Sequence, residues 1–593
     1  MKYPKLTELP TSREMIDIFK GYNHNLRIGD GEFYDMKNLS SDNYPILSPR
    51  VKRGRYSPSV NNIRGIVAKD SLCYIDGNDF VINGERTAIE GGLTVERDSK
   101  GRILPKTLVS MGAYVIIMPD KKYINTAKPE DNGEIEKVYE SESTVVVTPC
   151  KVDGVAYEKI EKGDSEPGDK TKLWLDTSSE PHSLKQYSTS SSQWVAIPTT
   201  YVKISADGID AKFEVYDGVT ISGIEDPSLS DLNASAVIWA KGEGYIVVTG
   251  LIDKETELTS SIKIERSMPD MDFITESENR LWGCKYGPDS NGNIINEIYA
   301  SKLGDFKNWN CFMGISTDSY AASVGSDGAF TGAITHLGYP LFFKENYMHK
   351  VYGNYPSNYQ IQATSCRGVQ NGCHKSLAIV NEVLYYKARS GICAYDGSLP
   401  VEISSALGEE RYGEAVSGVL GNKYYISMSD SKGEYHLFVY DTIKGMWHKE
   451  DNTQATVFCN SQGNLYFIDY GDENEANVLK VVRGTGINNT FEGNPIKWEA
   501  ITGIMGVESP DKKYISRIDV RMQLEVGTRV ILFAEYDSSG VWEHLFTMTG
   551  RDLQSFAVPI RPQRCDHLRL KIEGEGDAKI FSICKTIEQG SDV

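Results

Sequence analysis

The sequence predicts an all-β chain: a β-propeller of about seven blades, with an inserted β domain and a C-terminal β-sandwich. Three observations predict it. Short apolar clusters recur in similar surroundings: Leu341-Phe342-Phe343, Leu384-Tyr385-Tyr386, Tyr424-Tyr425-Ile426 and Leu465-Tyr466-Phe467. Their starts lie about 40 residues apart, the repeat length of a propeller blade. Each cluster follows a turn-forming or polar residue (Gly338, Asn381, Gly421-Asn422, Gly463-Asn464), and the first three precede a second aromatic-bearing run at 348–352, 391–395 and 435–440. Finally, Tyr is abundant at 34, Gly at 54, and long helical patterns are few, which favours strands. A β-sandwich with evenly spaced strands is the competing architecture; the regular step favours the ring.

In chain order, residues 1–60 read as an N-terminal arm. Thr11-Ser12-Arg13-Glu14 fits a capping box, predicting a short amphipathic helix over 15–19 that stops at Gly21. Pro45 and Pro49 then favour extended chain. The arm either closes the ring or lies against a neighbouring subunit. Residues 61–130 hold the first propeller blades. Leu72-Cys73-Tyr74 leads into a Gly77-Asn78-Asp79 hairpin turn, and Tyr114-Val115-Ile116-Ile117-Met118 follows about one blade later.

The rhythm breaks over 131–265, a stretch rich in Ser, Thr, Asp, Glu and Lys. It reads as an inserted β domain, with strands at 143–148, 212–216, 236–240 and 245–249 and a short one at Leu173-Trp174-Leu175. Polar loops are expected at 163–170 and 178–192. Residues 266–481 carry the remaining blades, resuming at Arg280-Leu281-Trp282-Gly283. Residues 482–593 read as the C-terminal β-sandwich, with strands at 516–524, 529–536, 542–548 and 567–572 and a polar tail from Gln589.

The chain has 82 acids against 63 bases, a formal net charge of −19. That argues against gripping DNA or RNA by charge; it is compatible with a pore through which DNA slides. Ten scattered cysteines with no CxxC pair read as buried thiols in a reducing compartment. Met1-Lys2-Tyr3-Pro4 does not open a signal peptide, and no apolar run is long enough to cross a bilayer. A soluble protein made in a cytoplasm is expected, without membrane insertion of its own.

Catalytic signatures are sparse. There is no HExxH, Walker loop or G-x-S-x-G elbow. Propellers host glycosidases, which work through paired carboxylates; here the Asp76-Gly77-Asn78-Asp79 turn and the Asp430 and Glu434 pair read as solvated turn-formers. Ser429-Asp430-Ser431-Lys432-Gly433 only loosely echoes a sialidase turn. Asp289-Ser290-Asn291-Gly292-Asn293 opens like a calcium loop, but Ala300 stands where the closing Glu belongs. Cys366, Cys373 and His374 offer soft ligands without zinc spacing. The nine histidines share no spacing, and Trp282, Trp309, Trp447 and Trp498 read as blade-packing residues before sugar platforms. The expectation is no catalytic, cofactor-binding or metal-binding residues, no cofactor, and no enzyme.

Several phrases resemble those of tail-hub or nozzle proteins of short-tailed bacteriophages, also called DNA-stabilisation proteins. They are Glu297-Ile298-Tyr299-Ala300-Ser301-Lys302-Leu303-Gly304-Asp305-Phe306-Lys307-Asn308-Trp309, then Val439-Tyr440-Asp441-Thr442 with Met446-Trp447-His448, and the arm phrase Asn38-Leu39 with Tyr44-Pro45-Ile46-Leu47-Ser48-Pro49-Arg50. The resemblance covers roughly 30–130 and 280–480. It implies a structural virion protein of the tail, assembled in the bacterial host cytoplasm as a homo-oligomeric ring, commonly a hexamer. The ring would sit below the portal and adaptor, meet tail fibres or tail-tip proteins, extend the DNA channel, and help retain and release the genome. A host-receptor or glycan-binding tail protein is the alternative.

Overall fold

The recurring aromatic cluster is the second strand of each blade. Seven four-stranded antiparallel sheets follow one another around a ring, spanning 63–88, 107–134, 273–323, 330–365, 378–402, 415–449 and 455–481 (blades 1 to 7). The second strands are Leu72–Asp76, Tyr114–Met118, Arg280–Pro288, Tyr339–Lys344, Val383–Lys387, Lys423–Ser429 and Asn464–Asp469. Such a strand is hydrogen-bonded on both edges and packed by neighbouring blades on both faces, so it reads as a continuous apolar run. The computed structural model describes residues 11–56, 60, 62–99, 101–258, 260–289, 291–470, 478–484, 492–507, 512–550, 552–561 and 563–589. The expectations for Met1 to Pro4, for Ser290 and for the tail beyond Gln589 fall outside them.

Apolar side chains join each blade to the next. Ile75 and Phe80 meet Val115 and Ile117 between blades 1 and 2. Ile116 meets Leu281, with Phe306 and Trp309, between blades 2 and 3. Trp282 and Ile298 meet Phe342 between blades 3 and 4. Phe343, Tyr386, Tyr424 and Ile426 share the core that runs through blades 4, 5 and 6. Tyr425 and Val439 meet Phe467 between blades 6 and 7, and Tyr466 and Leu479 return to Tyr74 and Val81 of blade 1. Each such side chain contributes about 2–3 kcal/mol by leaving water.

Blade 7 takes its fourth strand from the other end of the chain: Gly54–Arg55 pairs with Val478–Val481. Two arginines lock this closure. Arg50 donates to Glu492 at 2.6 and 2.9 Å, to Asp451 at 3.2 Å and to Asn38 at 2.8 Å. Arg53 donates to Glu450 at 2.8 Å and pairs with Asp451 at 3.0 Å. Their side chains are only 5% and 3% exposed, so their charges rely on these partners.

The arm then builds the C-terminal unit. Thr11–Ile16 joins a sheet with Ala578–Gln589, Lys513–Leu524 and Asp552–Val558. Gly21–Tyr22 and Glu32–Lys37 bridge the outer strand of blade 6 to Lys497–Thr502, giving one ten-stranded sheet shared by propeller and sandwich. Gly21 permits the crossing. Its φ is +85°, and a Cβ there would lie 2.3 Å from the Trp447 carbonyl oxygen.

The helix expected over 15–19 is absent, and Thr11–Ile16 is a strand. One helical turn is marginal alone; pairing with Ala578–Gln589 supplies a full ladder, and Ile16 and Phe19 enter the common core. The inserted region folds as an eight-stranded sheet curled around its own core, including Val147, Ile204, Ile221, Ile246 and Ile264. A four-stranded lobe at 160–196 rides on it. Residues 212–216 are turn and coil, with the strand beginning at Gly218. Ser183–Ser188, expected as loop, is a strand, its Leu184 buried beneath a serine-rich surface.

Burial works to raise the Asp451 carboxyl, but Arg53 and Arg50 overcome it and hold it below the ordinary range. Glu492 is likewise held low: burial opposes, and Arg50 prevails. Both folded values are depressed, so this stability is present above about pH 4 and lost as pH falls further. Arg53→Ala is expected to cost ~3–5 kcal/mol in urea unfolding at pH 7. Its deficit relative to wild type should narrow below about pH 4; a deficit independent of pH would show that the carboxylates do not hold the clasp.

Candidate functional site

Three places gather polar or aromatic groups: the ring axis, the junction with the inserted domain, and one hairpin of blade 6. At the axis, the short turn His374–Ser376 touches inner strands around the ring. The His374 ring lies 5.1 Å from that of Phe273 in blade 3. Gly332 of blade 4 faces His374 and Leu377. Ser417 of blade 6 donates to the Ser376 carbonyl at 2.7 Å, and Lys375 Nζ donates to the Thr456 carbonyl of blade 7 at 3.2 Å. A segment in contact with blades 3, 4, 6 and 7 reaches across the middle of the ring, with His374 and Lys375 half-buried there. Desolvation pushes His374 down to about 4 and Lys375 down to about 8.

The phrase from Gly304 to Trp309 lies in the long link between the third and fourth strands of blade 3. It fastens the inserted domain. Asp217 accepts from Arg266 at 2.7 Å and from the Asn308 side-chain amide at 3.0 Å, while Asn308 Oδ1 accepts from Gly218 N–H at 2.8 Å. Arg266 also donates to the Ile135 carbonyl at 3.0 Å, so both stems of the insertion meet here. A Cβ on Gly218 would lie 2.8 Å from the Asn310 backbone; only glycine allows this approach.

Beside the junction is a cleft of about 700 Å³, lined by Trp239, Tyr216, Thr199, Phe312, Met313 and Ile315 among others. The carboxylate of Asp318 accepts three backbone N–H groups, from Met313, Gly314 and Ile315, at 2.6, 2.6 and 3.1 Å. That loop therefore presents Phe312 rigidly, though its side chain is 58% exposed.

The third place is the hairpin joining Lys423–Ser429 to Tyr435–Asp441. Asp430 Oδ1 accepts the N–H groups of Lys432 and Glu434, each at 2.9 Å, and Oδ2 lies 3.1 Å from His436 Nε2. Burial works to raise the Asp430 carboxyl; the His436 hydrogen bond and those two N–H groups hold it below its ordinary range. Among the described residues, Asp430, Glu434 and His436 are the only three or more His, Cys, Asp or Glu whose donor atoms converge, all within 4.8 Å of one another. The sequence reading paired Asp430 with Glu434 but missed His436. Its signal was the two-residue step from Glu434, which sits just before the strand Tyr435–Asp441 and in extended chain projects to the same side as His436.

The other sequence candidates do not assemble. Asp76 and Asp79 both pair with Arg86. Asp289 accepts the N–H groups of Asn291 and Asn293 at 2.8 Å, closing a hairpin turn. Cys366 and Cys373 are thiols pushed up to about 11 by burial, and Cys373 donates to the Gly413 carbonyl; all ten cysteines are free. Trp282, Trp309, Trp447 and Trp498 are each 2–3% exposed, so none offers a platform to a sugar.

No protein-family model and no curated protein matches the chain. Among solved structures it is similar to an exo-β-1,3-galactanase from Phanerochaete chrysosporium, with 8% identity and TM-score 0.21, over 53% of this chain and 94% of that one. It is also similar to a sialidase from Trypanosoma rangeli, with 10% identity and TM-score 0.22, over 99% and 97% of the two chains, and to a GH43 glycoside hydrolase, with 9% identity and TM-score 0.20, over 55% and 97%. These neighbours are enzymes, so the expectation that the chain is no enzyme is corrected. Scores this low transfer no substrate and no catalytic residue.

The folded Lys375 amine titrates below its unfolded value. The unfolded chain therefore binds the extra proton between about pH 8 and 10.5, and stability rises with pH across that window. Lys375→Met is expected to raise stability at pH 7 by about 1 kcal/mol, the amine's partial exposure being discounted. The gain should shrink above pH 10, as read by thermal melts across pH; an unchanged gain there would mean the amine is not desolvated.

Proposed function

We propose that the chain is a structural subunit of a short bacteriophage tail. It assembles with copies of itself into a nozzle or hub ring below the portal and adaptor, and the genome passes through the space between copies. The observation that carries this reading is the continuous ten-stranded sheet, which joins the propeller to the sandwich as one rigid block. A stacked ring under the pressure of a packaged genome needs blocks that do not hinge. Two features agree with it. His374 and Lys375 reach across the middle of the propeller to blades 3 and 7, which favours a lumen between copies over one through the propeller itself. The phrases that resemble nozzle proteins fall at working points: Tyr44 to Arg50 leads into the clasp, and Glu297 to Trp309 carries the insertion's anchor. The excess of acids, net charge −19, would let phosphate slide past without trapping.

The cleft beside Trp239 favours a second reading, a glycan-binding tail protein, because aromatic rings edged by hydroxyls suit sugar faces. Purified chain mixed with portal and adaptor, imaged in negative stain, separates the two. Rings docked on the portal complex support the nozzle. A monomer that ignores the portal but binds a glycan array through Trp239 sinks it in favour of the second reading.

A further inference from the structure

We propose that the blade-6 hairpin is a divalent-metal site, with Asp430, Glu434 and His436 as its ligands and zinc as the ion it suits best. The argument is one of convergence and preorganisation. The three donors come from the two arms of one hairpin, and their ligand atoms already lie within 4.8 Å of one another. Two are fixed before any ion arrives. Asp430 spends one oxygen on the N–H groups of Lys432 and Glu434, which aims the other at the imidazole. His436 packs against the rings of both Tyr412 and Phe438, at 6.4 and 6.2 Å. Their side chains are only 13% and 14% exposed. The 3.1 Å from Asp430 Oδ2 to His436 Nε2 is close to the ligand–ligand spacing of a tetrahedral ion with bonds of about 2.0–2.1 Å. Only Glu434, which is exposed, has to swing, so little conformational freedom is lost on binding.

The donor set also selects the ion. One imidazole with two carboxylates and no thiolate suits borderline zinc, with water in the fourth position. Calcium and magnesium prefer six or more oxygens, which this hairpin does not gather. The neighbouring Glu410 is engaged elsewhere, accepting from Ser431 Oγ at 2.8 Å.

The test is calorimetric titration of the full chain with zinc chloride, repeated with calcium chloride. One saturable zinc ion per chain is expected, with calcium giving no comparable heat. Asp430→Asn and His436→Gln should each weaken zinc binding by about tenfold or more, and Glu410→Gln should leave it unchanged. Thermal melts of each variant check that it is folded. Cobalt substitution gives a second readout: visible absorption bands in the wild type that His436→Gln abolishes. Absence of saturable zinc heat, or zinc affinity unaltered in folded His436→Gln, overturns the proposal.

Discussion

The fold depends on how its ring is closed. Six blades are made of consecutive strands, but blade 7 is completed by Gly54–Arg55 from the far end of the chain. Without that strand, Val478–Val481 would carry an unpaired edge, and blades 1 and 7 would meet without their covalent overlap. Two backbone rungs are too little to hold such a closure. The buried arginines beside it supply the rest, since pulling the segment out strands Arg50 and Arg53 away from Glu450, Asp451 and Glu492. Buried ion pairs add little net stability but penalise rupture heavily, and a clasp needs that asymmetry.

The same arm makes domain boundaries less distinct than the sequence suggests. Residues 1–60 read as an appendage, yet the described part supplies strands to both sandwich sheets and to blade 7. One apolar core includes Ile16, Phe33 and Met36 of the arm, Tyr386 and Trp447 of the propeller, and Leu532 and Ile572 of the sandwich. A core shared in this way ties the two units into one cooperative body. The inserted domain contrasts with this. It has its own core and is anchored through a compact polar junction at Asp217, so its attachment is specific without being apolar.

The propeller was legible because its signal repeats. Leu72, Leu341, Leu384, Tyr424 and Leu465 all open or enter second strands, whose burial on both faces forces an apolar run that a single window can detect. What was not legible depends on distant partners. The strand Thr11–Ile16 resembles a capped helix locally, and only the ladder with Ala578–Gln589 decides otherwise. Ser183–Ser188 hides among serines because its lobe buries few side chains. His436 was missed because its proximity to Asp430 arises from a hairpin closing, not from a spacing in any known ligand motif. In the sequence the axial turn at His374 offers only a soft ligand, since its position across the ring follows from the closed circle of blades.

That axial turn constrains how the chain could serve a conduit. Blade number fixes a propeller's inner radius, and here the connecting turn at His374–Ser376 reaches across it. Widening the axis would need a different blade count, a change of the whole fold. A lumen formed between copies has no such limit, because its width follows from how many rigid blocks are arranged around it. Its electrostatics would also be set by outer faces, where acids are not committed to holding the ring shut. The clasp carboxylates are buried or half-buried and paired, so they contribute little field to solvent. On the proposed nozzle reading, repulsion of a phosphate backbone would come from exposed acids within about 8 Å of the wall, the screening length at physiological salt. Stability and passage would then draw on different carboxylates, and each set could change without disturbing the other.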